Sequence, residues 1–388
     1  MSYMNFNELY TIKPKNYFVA STLKELNENM ENSSKPVRII GGVHVFNDLS
    51  MTDKKGTIID TKKLNDVLNV NTNDKIVTVQ SGTTLKKLLK HLEKYNLSLP
   101  VMTATNAISI AGGISTGAHG SNILNGSLSS LVTSIGLITN EGMYKYIDNT
   151  NEEELKAVKC SLGCLGAIYS ISLKCVDMFS IKETVYNDYW NNIYSGLDIL
   201  LTKYPYTQID LDQFSDNLLS TVTLRQKVPY DSQLGPGYKV LTSYVSSWYI
   251  EIELAFPYYI VDKAVKAICK FHINYKETNN IFSESQLLIR FSGEDDTLIS
   301  MASGRKTVYI SSFFEKEYEP KLIYKFMHDL SDKMVNEYKA RPHYGKQNNL
   351  SKEQMKLLYG KNYDTFAKIH KKYDATDTFS NEYIKRIL

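Results

Sequence analysis

Cysteine, net charge and long apolar runs are all scarce in this chain, and each scarcity removes a class of function. The four cysteines among 388 residues (Cys160, Cys164, Cys175 and Cys269) form no C-x-x-C pair, which excludes a thioredoxin-like redox motif and a zinc ribbon. Cys160 and Cys164 stand one helical turn apart, but no histidine cluster beside them completes a metal site, and no bound metal is expected. Most of these thiols lie in apolar company, so free buried cysteines in a reducing compartment are expected. A net charge of only +3 and an isoelectric point near 8.3 leave no basic footprint for nucleic acid. No stretch approaches the roughly 20 apolar residues of a membrane span. The opening MSYMNFNELYTIKPKNYF contains no apolar signal core. A soluble cytoplasmic protein is expected, with peripheral membrane association left open.

With 43% hydrophobic residues and no repeat or low-complexity linker, the chain can fill two ordinary cores. Up to about Met178, short strands alternate with helices. Ser21 is read as capping STLKELNENMEN, with Glu25 in the first turn, and VRII (Val37 to Ile40) runs as a strand into Gly41-Gly42. GTIID, KIVTVQSG and LVTSIGLIT read as further strands, and TLKKLLKHLEKY carries Leu85, Leu88, Leu89 and Leu92 on one helical stripe. Beyond Met178 come longer alternating strands (TQIDLDQF, STVTLRQKV, QLLIRFSG, KTVYISSFF) and two helices, YIVDKAVKAICKFHINY and EPKLIYKFMHDLSDKMVNEY. DSQLGPGYK is expected to be a mobile, turn-rich loop. The fold class is α+β, with domains expected at 1–178 and 179–340 and a C-terminal segment 341–388 that begins with the compact RPHYGK.

The most informative stretch is AISIAGGISTGAHGSN, Ala107 to Asn122. It holds four glycines, several hydroxyls, one histidine and no charge, between apolar segments. Glycines let another group approach the backbone, and exposed N–H groups with hydroxyls can cradle a pyrophosphate or the polar edge of a ring system. A solvated loop of that length normally carries charge; the lining of a large ligand need not.

Five segments in order resemble the sugar-lactone and alditol oxidase group of the vanillyl-alcohol-oxidase-type flavoproteins. They are RIIGGVHVFND, SIAGGISTGAHGS, SLGCLGAIYSISLKCV, IRFSGEDDTLIS and RPHYGK. The resemblance implies a two-domain PCMH-type FAD-binding fold with an α+β cap (substrate) domain, and a tail that returns to the site. It implies FAD contacts from Gly41, Gly42, Val43, His44, Val45 and Phe46, with a covalent bond through His44. A second set of FAD contacts would come from Ser109, Gly112, Gly113, Thr116 and Gly117, then His119, Gly120 and Ser121, with Ile168 closing over the ring. Lys346, His343 and Arg290 are the implied catalytic residues.

The implied reaction is oxidation of a CH–OH group of an aldonolactone, alditol or related alcohol, with O₂ as acceptor and H₂O₂ as product. A dehydrogenase with another acceptor and a flavin-binding protein without turnover stay open. The chain departs from the group's pattern at Leu288, where a glutamate precedes the arginine, and at Ser311, the counterpart of a histidine. Val45 and Tyr344 are milder departures. Leu288 implies a less polar pocket. For individual residues the alternatives are a backbone-bonded turn histidine at His44, a structural histidine at His119 and a solvated turn at Lys346. For Arg290 the alternative is an ion pair with Glu294, Asp295 or Asp296.

Overall fold

Several of the short N-terminal strands end at glycine or asparagine turns, as VRII does at Gly41-Gly42. The computed structural model describes residues 2–243, 249–315 and 318–388. β1 (Asn16–Val19), β2 (Val37–Ile40) and β3 (Thr57–Asp60) form a parallel sheet in the order β1-β3-β2. β4 (Val67–Asn71), β5 (Ile76–Gln80), β6 (Val132–Ile138), β7 (Tyr144–Asp148) and β8 (Ala167–Lys174) form an antiparallel sheet in the order β7-β6-β8-β5-β4.

α1 (Leu23–Glu31) is capped one residue later than the sequence suggests. Thr22 Oγ1 accepts from the Glu25 N–H at 3.1 Å, while Ser21 donates its own N–H to the Glu25 carboxylate at 2.8 Å. Three residues from Thr22 to Glu25 is the spacing that a capping box needs. α2 (Leu85–Leu92) buries the expected leucine stripe completely. α3 (Ile110–Ser115) is the short helical part of the glycine-rich stretch.

β9 (Phe179–Tyr189), β10 (Gln208–Leu211), β11 (Leu219–Pro229), β12 (Ile250–Pro257), β13 (Leu287–Ser292), β14 (Thr307–Phe314) and β15 (Arg341–Pro342) make a seven-stranded sheet. Its order is β9-β11-β10-β13-β14-β12-β15. α4 (Val261–Asn279) and α5 (Pro320–Tyr338) cover one face, where Ile252, Leu254, Ile289 and Ile310 pack against them. Because strand side chains alternate, Glu251, Glu253, Leu288, Arg290 and Ser311 point to the opposite face. The strand carrying the two glutamates is absent from the sequence reading.

The tail, α6 (Lys352–Tyr359), α7 (Lys361–Tyr373) and α8 (Glu382–Ile387), packs its aromatic residues into the same core as the first 180 residues. DSQLGPGYK is not a loose loop. Gly237 donates to Phe179 O at 2.7 Å, and Ser180 Oγ donates to Gly235 O at 2.6 Å. All four cysteines are free and buried. Among the described residues, no helix is long and apolar enough to cross a membrane.

His272, on α4, sits edge-on to Phe326 with Nε2 2.9 Å from Ser312 Oγ, and burial pushes its pKa down to about 3. The unfolded chain therefore takes up this proton first as pH falls from 6.5, so stability is lost between pH 6.5 and 3. At pH 5 the loss from this ring is about 2 kcal/mol. In His272→Leu, the drop in unfolding free energy between pH 7 and pH 5 should shrink by that amount. Urea titrations at both pH values check this, and an unchanged pH dependence would show that the ring is not the source.

Candidate active site

A cavity of about 260 Å³ lies between the glycine-lined turns of the N-terminal half and the open face of the seven-stranded sheet. Its first wall follows β2. Gly41 and Gly42 turn the chain directly against the other glycine-rich stretch: a Cβ on Gly42 would lie 2.7 Å from Ser109 N and 2.9 Å from Ala107 O. The Gly42 N–H donates to Ser109 Oγ at 3.2 Å, so one hydroxyl joins the two segments. The next residue, Val43, has φ +52°, a costly conformation for a β-branched residue that marks local strain. The C-terminal turn holds this loop in place. Phe46 N–H donates to Gly345 O at 2.9 Å, and the Asn47 amide donates to Tyr344 O at 2.8 Å.

The polar end of the cavity is organised by Glu253, which is 1% exposed. One carboxylate oxygen accepts from Arg290 Nη2 at 2.5 Å and Ser311 Oγ at 3.1 Å; the other faces His119 Nε2 at 3.1 Å. Burial alone would raise the pKa of this carboxyl group, but His119 and Arg290 hold it well below the usual range. His119 Nδ1 lies 3.0 Å from Gly120 O, so both ring nitrogens face acceptors, and the ring stacks on Tyr309 at 3.4 Å. Leu288, Ser311 and Glu253 form one cross-strand row, with Ser311 paired to both.

His343 is buried, and its Nδ1 accepts from the Gly345 N–H at 3.0 Å. Burial, and then His119 and Lys346, push its pKa down to about 3 against the pull of Glu253, so the neutral ring carries its proton on Nε2. Lys346 is paired with Glu251 and lies 4.3 Å above the Phe46 ring. Burial would lower its pKa, but Glu251 holds it above the ordinary value, so it is a fixed cation and unsuited to act as a base. At His44, burial and then Lys346 push the pKa down to about 4, leaving a neutral imidazole 5.1 Å from the Phe6 ring.

Lys346, His343 and Arg290 all line the cavity, as do the residues from Gly41 through Phe46. Ser109, Gly112, Gly113, Thr116, His119 and Ile168 line it too. Gly117, Gly120 and Ser121 do not, and each has work behind the wall. Gly117 takes φ +67° at the turn after α3, and Gly120 packs directly on the Met102 carbonyl. Ser121 donates to Thr207 O and accepts from Phe291 N–H, tying the stretch to the sheet. Arg290 pairs with Glu253 and not with the acidic residues after β13: Asp295 is taken by Ser127 and Ser300, and Asp296 by Lys159.

The expected loss of polarity at Leu288 is offset by Glu251 and Glu253, both on β12 and two strands away across β14, which the sequence reading missed. Their signal was present. IEIELAFP alternates strictly, and paired glutamates on the inner face of a buried strand are rare without a partner. Arg38 was missed as well. It is buried on β2 and donates to Leu162 O at 2.8 Å and Phe379 O at 2.7 Å.

Two glycine-lined backbones, an apolar wall and a cationic edge define a flavoprotein oxidoreductase. A model described as "FAD binding domain" matches residues 14–147, and one described as "D-arabinono-1,4-lactone oxidase" matches residues 180–387. The chain belongs to the D-arabinono-1,4-lactone oxidase family of FAD-dependent oxidoreductases. L-gulonolactone oxidase of Bos taurus is 24% identical, covering 100% of this chain and 98% of that protein. L-gulono-1,4-lactone dehydrogenase of Mycobacterium tuberculosis is 24% identical, covering 91% of this chain and 90% of that one. Cholesterol oxidase from B. sterolicum shares the fold, with a TM-score of 0.81 over 100% of this chain and 96% of that chain at 14% identity. The lining suits FAD: glycine backbone at Gly41, Gly42, Gly112 and Gly113 and the hydroxyls of Ser109 and Thr116 share one cavity with the apolar Val43, Val45 and Ile168, the surface that a pyrophosphate and a ring system need.

Replacing Glu253 with glutamine should leave Arg290 and His119 buried without their anion. A stability loss of about 3–5 kcal/mol is expected. Urea unfolding checks it, and a loss under 1 kcal/mol would mean that the carboxylate organises nothing.

Proposed function

We propose that the protein oxidises a CH–OH group of an aldonolactone, with alditols and related alcohols as the wider class, and that O₂ reoxidises the flavin to give H₂O₂. When bound, FAD supplies the ring that accepts hydride. The observation that carries this reading is the convergence of Lys346, Arg290, His343 and His44 on one cavity with both glycine-lined turns. The lactone oxidase relatives supply the substrate class.

In this reading Lys346 is the fixed cation that stabilises negative charge developing at the ring edge. Arg290 holds a hydroxyl or ring oxygen of the substrate, and the Nε2–H of His343 donates to the reacting oxygen, whose own proton is released to water as the carbonyl forms. His44, kept neutral, offers a nucleophilic nitrogen for a covalent bond to the flavin. His119 and Ser109 hold the cofactor loop, and Gly117, Gly120 and Ser121 support it from behind. Residues 1–178 form the cofactor domain and 179–340 the cap, with 341–388 bringing Lys346 back to the site.

A second reading, a dehydrogenase with a non-oxygen acceptor, is favoured by the mycobacterial relative of that name. Oxygen uptake measured beside dye reduction separates the two.

An anaerobic screen of lactones, alditols and simple alcohols should bleach the flavin band with at least one aldonolactone; no bleaching by any of them would end the reading. Lys346→Ala should slow that bleaching by about 10²–10³-fold while flavin content stays near that of the native protein. An unchanged rate would remove Lys346 from the chemistry. Acid-precipitated native protein should stay yellow and His44→Ala should release its FAD; flavin shed by the native protein would rule out the covalent bond.

A further inference from the structure

Two carboxylates line the cavity among the described residues, and they are not equivalent. Glu253 is fully engaged, with Arg290 and Ser311 on one oxygen and His119 on the other. Glu251 lies two residues earlier on β12, on the same face, and is paired with Lys346 through Oε2. Among the described residues, no other donor reaches its carboxylate. A hydroxylated lactone brings several O–H donors into this space, but the nearby polar groups are mostly donors themselves. Arg290 and Lys346 have no acceptor atoms, and the neutral His343 ring has its Nδ1 occupied by Gly345. Leu288 and Phe313 add apolar wall. The acceptor left open in the cavity is the second oxygen of Glu251.

We propose that Glu251 is the specificity-determining residue of this site: Lys346 holds its carboxylate in place, and its open oxygen accepts a hydrogen bond from a substrate hydroxyl next to the carbon that is oxidised. The inference rests on the lactone-oxidising function proposed above. It also explains how the site tolerates Leu288, since the carboxylate that would face substrate from β13 comes from β12. An ionised acceptor engaging one hydroxyl is expected to separate a hydroxylated lactone from its deoxy analogue by about 10- to 100-fold in kcat/KM.

The test uses flavin-loaded enzyme with L-gulono-1,4-lactone, D-arabinono-1,4-lactone and their monodeoxy analogues. Unhydroxylated γ-butyrolactone serves as a binding competitor. Glu251→Gln also takes the paired anion from Lys346, so every lactone should turn over more slowly; kcat/KM for the hydroxylated lactones should fall about 10- to 100-fold further than for the responsive deoxy analogue, so discrimination collapses. The dissociation constant of γ-butyrolactone should be unaffected. Adding Leu288→Glu to Glu251→Gln should restore part of the discrimination from β13. If Glu251→Gln fails to retain flavin, Glu251→Asp carries the test, with a shift in the same direction. Native enzyme reduced by none of these lactones would overturn the functional reading and the inference with it. Native enzyme that turns them over, beside a flavin-loaded variant with unchanged discrimination, would overturn the inference alone.

Discussion

The carboxylate of Glu253 is the constraint on which the site depends. Its side chain gathers the glycine-rich stretch through His119, β13 through Arg290 and β14 through Ser311, while its backbone carbonyl accepts from the His343 N–H at 2.9 Å. Four segments distant in sequence thus meet at one buried residue. Burying a carboxylate and a guanidinium is costly unless each is paired and hydrogen-bonded, and here the pairing is complete on the carboxylate side. Removing the anion would strand two donors in an apolar wall, so the geometry of the cavity and the stability of the fold are linked at this point.

The glycine-rich stretch is held just as firmly from outside. Ser109 bridges to Gly42, Ser121 ties the stretch to the sheet, and Phe46 and Asn47 receive the C-terminal turn that carries Lys346. The tail helices pack into the first core, so the Lys346 turn is anchored on both sides. A chain whose last 40 or so residues complete the first core cannot assemble its site from the N-terminal half alone.

Much of this was legible in the sequence where chemistry is local. Glycine pairs after a β-branched run, a charge-free stretch with one histidine, and a leucine stripe at helical spacing each carry their meaning in adjacent residues. The rest depended on register. That Glu253 answers Arg290 follows from the pairing of Leu288 with Ser311 and of Ser311 with Glu253, which no single strand reveals. Gly117, Gly120 and Ser121 look identical in kind to Gly112, Gly113 and Ser109. Their separation arises because the chain turns after α3 and presents its far side to Met102 and the sheet. The cap of α1 moved by one residue because Ser21 and Thr22 are both competent caps, and only Thr22 stands three residues before Glu25.

The charge arrangement bears on what kind of molecule the cavity suits. Arg290 and Lys346 are matched by Glu253 and Glu251, and the rings of His343 and His44 are held neutral by burial. His119 lies between the Gly120 carbonyl and the Glu253 carboxylate. The two ion pairs of the site, Arg290 with Glu253 and Lys346 with Glu251, are matched one to one. An unmatched charge inside a protein acts strongly over several ångströms. A neutral, hydroxyl-bearing molecule meets matched ion pairs on entry, and in the proposed reaction the charge that develops faces the Arg290 and Lys346 cations. A third carboxylate at residue 288, in addition to those on β12, would leave one negative charge without a cation to match it. The apolar Leu288 and the acidic β12 are therefore best understood as one adjustment, which keeps the carboxylate count at two while changing the strand that supplies it.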